Sequence, residues 1–137
     1  MRDCRFVSSQ FGIEPDEDKD TNPGRYGRQL AAWLRSQLVS QGYAVEPVIP
    51  EDWGYCLMCS RKPFMLWVGC GNEEDDRDIA SDGIAPEKDG IVWCCFAQVE
   101  PAFWQLWFRK TEISAALEKL NQDLREILER EPCVQLL

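Results

Sequence analysis

Apolar residues recur along this chain with two different periods, and the periods divide it into elements. Tyr26, Leu30, Trp33, Leu34, Gln37 and Leu38 follow one another at spacings of three and four, which puts them on one stripe of a helix. Asn22 suits the N-cap, and Pro23 suits the first helical position, where its missing N–H costs nothing. Gly42 suits the position just past the C-terminus. A helix over residues 23–41 is expected. Ile113, Leu117, Leu120, Leu124 and Ile127 form a second stripe, predicting a helix from Thr111 or Glu112 to Glu129. Thr111 is its expected cap, Glu126 and Arg130 add an i,i+4 pair, and Pro132 ends it.

The remaining apolar stretches read as strands. Residues 53–71, WGYCLMCSRKPFMLWVGCG, read as two strands, 53–60 and 64–70, joined by a basic turn at Arg61, Lys62 and Pro63. Residues 3–9, 43–49 and 91–99 read as further strands, with Pro47 marking an edge or a bulge. Pro50 to Asp52 reads as a turn, residues 71–90 as an acidic loop, and CVQLL at the end as a last edge strand. Residues 100–110, EPAFWQLWFRK, fit a helix, a strand or an irregular flap. The order β-α-β-β-β-β-α predicts a single α+β domain over 1–137, with a mostly antiparallel sheet and two helices packed on one face in two layers.

Alternation separates the two sides of each strand. With an assumed register, Cys56, Met58, Phe64, Leu66, Val68, Val92, Cys94 and Phe96 share one face. Trp53, Tyr55, Leu57, Met65, Trp67, Ile91, Trp93 and Cys95 share the other. Both faces are apolar, which a sheet covered by helices on one side does not require. The flap at 102–108, a partner, or a second copy of the chain is needed to cover the second face.

Charge adds a map. The chain has 137 residues and a net charge of −9, located in two segments. Residues 13–24 have a net of −4 and residues 71–90 a net of −6, so the body is close to neutral. Nucleic acid is excluded as the main partner, because phosphate binding needs a concentrated basic footprint. A basic protein partner fits. Arg25, Arg28, Arg61, Lys62, Arg109 and Lys110 are expected to pair with the acidic loops. No apolar run approaches the ~18 residues that span a bilayer, and the first residues, MRDCRFVSSQFG, lack the apolar core of a signal peptide. A cytoplasmic protein without membrane association is expected. Its seven cysteines then read as free, mostly buried thiols.

Candidate chemistry is narrow. The chain has no histidine, which removes His-based triads and His-ligated metals, and it has no P-loop or GxGxxG. Cys56 and Cys59 form a CxxC that, with Cys70, Cys94 and Cys95, nominally supplies a four-thiolate zinc site. Leu57 and Met58 between them belong to a strand, which sends the two thiols to opposite faces, so no metal is assigned. Asp16, Asp18, Asp20 and Asn22 alternate as in a calcium loop, but Thr21 stands where its glycine is required and Gly27 where its closing Glu is required. Glu51, Asp52 and Glu100 lie near strand ends without a spacing that supports acid–base catalysis.

The runs NPGRYGRQLAAWL at 22–34, GYAVEPVIPEDWGY at 42–55 and LWVGCG at 66–71 resemble a set of small bacterial cytosolic proteins. The resemblance implies a bacterial source and one compact domain, and it brings no activity, cofactor or site residue. The expectation is a non-enzymatic, acidic binding protein without a cofactor, of the inhibitor or immunity type, whose partner is a basic effector or a second copy of the chain. Its binding residues are expected to be Trp53, Tyr55, Trp67, Trp93, Glu73, Glu74, Asp75 and Asp76. The alternative is a small-molecule or zinc-binding domain, catalytic or not, with a pocket lined by Trp53, Trp67 or Trp93.

Overall fold

The computed structural model describes residues 3–73, 90–100 and 110–137. Six strands form one antiparallel sheet: β1 Cys4–Ser8, β2 Ile49–Glu51, β3 Gly54–Ser60, β4 Met65–Asn72, β5 Val92–Glu100 and β6 Val134–Leu136. Their order is β2-β3-β4-β5-β1-β6. The middle of the chain is therefore a meander, and β1 is inserted between β5 and the C-terminal edge strand. Helix α1, Arg28–Ser40, lies across β3 and β4, and helix α2, Lys110–Glu129, lies across β5 and β6. The fold is the expected two-layer α+β arrangement.

Helix α1 starts five residues later than its stripe suggests. Gly24 and Gly27 adopt positive φ, 83° and 140°, and residues 22–25 close a turn through the Arg25 N–H to the Asn22 carbonyl at 2.9 Å. Asn22 and Pro23 therefore shape a turn instead of a helix start. The cap comes from the acidic segment. The Glu17 carboxylate, fully buried, accepts the N–H of Arg28 at 2.9 Å and that of Gly27 at 3.4 Å. A carboxylate there offsets the unpaired N–H groups and the positive end of the helix dipole. Helix α2 begins at Lys110, so Thr111 lies within its first turn rather than capping it.

Residues 43–48 are not a strand. Their attachment is the Glu46 N–H to the Met58 carbonyl at 3.0 Å and the Arg35 guanidinium on the Val45 and Glu46 carbonyls. The strand comes later, at Ile49–Glu51, and takes in part of the expected turn. Pro47 has no N–H to offer a ladder, which accounts for the delay.

Strand register decides the two faces. Leu57 is opposite Val68 and Tyr55 opposite Cys70, while Met58 is opposite Trp67. Cys70 is opposite Cys95, Gly69 opposite Phe96, and Asn72 opposite Trp93. The helix-covered face therefore combines Tyr55, Leu57, Leu66, Val68, Cys70, Trp93 and Cys95 with Leu30, Leu34, Leu120 and Leu124 in one core. Met65, Trp67, Cys56, Met58, Cys94 and Phe96 point the other way. This corrects the assumed register, which placed Tyr55 and Trp93 beside Trp67. The sequence pattern separates the sides of one strand, but only pairing joins sides across strands.

Candidate functional site

The face away from the helices carries a cluster of three aromatic rings. Trp53 follows β2 at the tip of the β2–β3 hairpin, Trp67 is on β4 and Phe96 on β5. Trp53 lies 5.7 Å from Trp67 and 5.7 Å from Phe96 between ring centroids, and Trp67 lies 5.8 Å from Phe96. These separations and tilted planes are those of favourable aromatic contacts.

A glycine makes the cluster possible. Gly69 stands opposite Phe96, and a Cβ built on it would come within 2.3 Å of the ring's Cζ. The ring of Phe96 therefore lies over bare backbone, which lets it approach both tryptophans. A glycine inside a strand is the mark of such a close approach. Phe96 was not among the expected binding residues, and a glycine inside a strand, Gly69, is the one sequence feature that could have marked the close approach.

Carboxylates border this face. Glu51 on β2 and Glu100 on β5 share it by alternation, and Asp52 precedes Trp53. All three are exposed, and none is engaged in a hydrogen bond or ion pair among the described residues. Cys56 is opposite Gly69 at the middle of the face. Burial first, then the Glu51 and Glu100 carboxylates, push its thiol up to about 11. The nearby cation Arg61 is held by Glu46 at 2.6 and 3.0 Å. Arg5, also on this side, is held by Glu73 at 2.7 Å.

Of the expected binding residues, the structure brings Trp53 and Trp67 together. Trp53 is 36% exposed, the most exposed aromatic side chain among the described residues. Tyr55 and Trp93 are 2% and 0% exposed beneath the helices. Trp93 therefore lies on the opposite side of the sheet from Trp53 and Trp67. Glu73 pairs with Arg5, and Glu74, Asp75 and Asp76 lie outside the described residues, as do the flap at 102–108 and Arg109.

The acidic segment 13–24 is partly structural. Besides capping α1, Glu17 accepts the Tyr55 hydroxyl at 3.1 Å and the Glu14 N–H at 3.0 Å. Arg28 pairs with Glu14 and Asp20, as charge alone suggests, and Asp18 accepts the Gly24 N–H at 3.1 Å. Asn72 holds the same segment to the end of β4. Its amide accepts the Tyr26 N–H at 2.9 Å and donates to the Gly24 carbonyl at 3.0 Å.

The thiols of the CxxC divide as alternation requires: Cys59 packs in the helix-side core and Cys56 on the opposite face. Burial pushes Cys59 up to about 12, and it raises Cys70 and Cys95 as well. Such thiols stay protonated at neutral pH, which makes them poor ligands and nucleophiles. Among the described residues no group of three or more Cys, Asp or Glu is placed to hold a metal ion. A groove of about 450 Å³ at the opposite sheet edge is lined by Val7, Ser8, Pro132 and Gln135 among others, with no carboxylate or cation in its wall. Compared with protein-family models, curated proteins and solved structures, the chain matches none, so the aromatic face has to be interpreted from its own chemistry.

Proposed function

We propose that the chain is a non-enzymatic binding protein that docks a basic protein partner on the sheet face opposite its helices. The observation that carries this reading is the Trp53–Trp67–Phe96 cluster beside three carboxylates that have no partner among the described residues. Aromatic side chains are enriched in the centres of protein interfaces, and exposed tryptophan is the residue most often found as an energetic anchor. The carboxylates supply a negative rim that attracts a basic surface and disfavours an acidic one. An inhibitor or immunity-type role for a basic effector fits this chemistry. A cytoplasmic setting fits the seven free thiols.

The test is capture by the immobilised protein from the source cell's lysate, with Trp53→Ala/Glu51→Gln/Glu100→Gln run in parallel. One basic protein, retained in stoichiometric amount by the wild type and lost from the variant, is the expected result. Its association rate should fall as salt is raised. Recovery of no such protein, or equal recovery by both forms, removes the reading.

A further inference from the structure

The borders of the aromatic cluster narrow the chemistry of what it receives. We infer that the face formed by Trp53, Trp67 and Phe96 between Glu51, Asp52 and Glu100 is a receptor for an arginine side chain of the partner. The inference rests on the docking reading above and names its anchor.

Three features favour a guanidinium over other occupants. A cation above an indole face, within about 6 Å of the ring centroid, is attracted by the ring quadrupole. Trp53 is 36% exposed although it packs on two other rings. Glu51, Asp52 and Glu100 have no partner among the described residues, while Arg61 and Arg5 are held by Glu46 and Glu73. A neutral apolar side chain would leave those carboxylates unused. A carboxylate-bearing side chain would be repelled.

Arginine also suits this site better than lysine. Its planar group stacks on an aromatic ring and keeps its in-plane N–H donors free for carboxylates at the edges. A lysine ammonium is a compact, strongly hydrated charge, and it loses more solvation on an apolar platform. The platform is also rigid. Phe96 is seated over Gly69, and Trp67 faces Met58 across the strand pair, so little ordering is left to be done on binding.

The experiment uses the full chain with its indole nitrogens isotopically labelled and follows the Trp53 and Trp67 indole resonances by NMR. Three capped five-residue peptides are titrated, each with glycines around one central residue: arginine, lysine, or citrulline, the neutral isostere of arginine. The arginine peptide should shift the Trp53 indole signal saturably, with a Kd of roughly 1–10 mM for a single side chain. Citrulline should bind at least tenfold more weakly, and lysine should fall between the two. In Glu51→Gln/Glu100→Gln the arginine peptide should lose about tenfold, with the remaining spectrum unchanged as a check on folding. A citrulline peptide that binds as well as arginine, an arginine titration indifferent to the amide substitutions, or no Trp53 shift at about 50 mM peptide overturns the inference. The two readings fail separately. Capture of a protein that depends on Trp53, together with indifference to citrulline, leaves the docking face and removes the arginine. Arginine-selective binding without any captured protein does the reverse.

Discussion

Replacing Gly69 by alanine tests how the aromatic face is built. The new Cβ would meet Phe96 Cζ at 2.3 Å and Cε1 and Cε2 at 2.8 Å. Carbon atoms in contact sit at about 3.5–4.0 Å, so the ring has to retreat by roughly 1.2 Å or more. Trp53 and Trp67 stand against that ring at 5.7 and 5.8 Å, and the retreat pushes on both. Overpacking of this kind costs about 1–3 kcal/mol. Losing a glycine from the unfolded chain returns about 0.4–1 kcal/mol. A net destabilisation of about 1–2 kcal/mol is expected, which lowers the urea midpoint by about 0.5–1 M at a slope near 2 kcal/mol/M. The decisive measurement is the double-mutant cycle. In a Phe96→Ala background there is no ring to displace, so Gly69→Ala should become neutral or slightly stabilising, with a coupling of about 1–3 kcal/mol. The Trp53 and Trp67 emission should shift in Gly69→Ala and not further in the double variant. If Gly69→Ala costs the same with and without the Phe96 ring, the account of the cluster is wrong.

Three further outcomes follow from the structure. Glu17→Ala strips the cap from α1 and leaves the Tyr55 hydroxyl and three N–H groups without an acceptor, so it should destabilise by about 3–5 kcal/mol in urea unfolding, whereas a loss below about 1 kcal/mol would show the carboxylate to be dispensable. Asn72→Ala removes the clamp on Tyr26 and Gly24 and should cost about 1–3 kcal/mol and speed amide exchange in residues 24–28, so unchanged exchange there counts against the clamp. Stability should be level at neutral pH and fall above about pH 9, because Cys56 and Cys94 are raised to about 11, Cys59 and Tyr43 to about 12, and Cys70 and Cys95 are raised as well. The sign follows from proton linkage. Below the ordinary thiol value both states are protonated and the groups contribute fully. Above it the unfolded chain releases protons that the fold retains, at about 1.4 kcal/mol per pH unit for each such group. Urea midpoints that stay constant from pH 8 to about 10.5 would contradict the burial of these thiols.

Much of the layer arrangement is legible in the sequence, for reasons visible in particular residues. The stripe from Ile113 to Ile127 is long and regular, and α2 forms where it predicts. The two strands around Arg61 to Pro63 are apolar throughout and hemmed by turn residues, and β3 and β4 follow them within two residues. The start of α1 was misplaced because Asn22 and Pro23 satisfy the local rules for a helix start. Two positive-φ glycines and a carboxylate eleven residues before Arg28 override them. In the sequence, the acidic run around Glu17 shows only its charge and a failed calcium pattern. Its internal role depends on Tyr55 and Arg28, which approach it only after the chain folds back.

The aromatic face marks the same division. Alternation alone separates Trp67 from Val68 and Tyr55 from Cys56, because successive side chains of a strand point to opposite sides. It is silent on which side of β3 joins which side of β4, since a slip of one residue exchanges every side chain between the faces. The observed pairing of Met58 with Trp67 and of Gly69 with Phe96 decides that Tyr55 and Trp93 enter the core while Trp53, Trp67 and Phe96 meet outside it. Composition and period determined that the sheet would be apolar on both sides. Cross-strand register, a long-range property with no local signal except Gly69, decided which aromatic residues face outward.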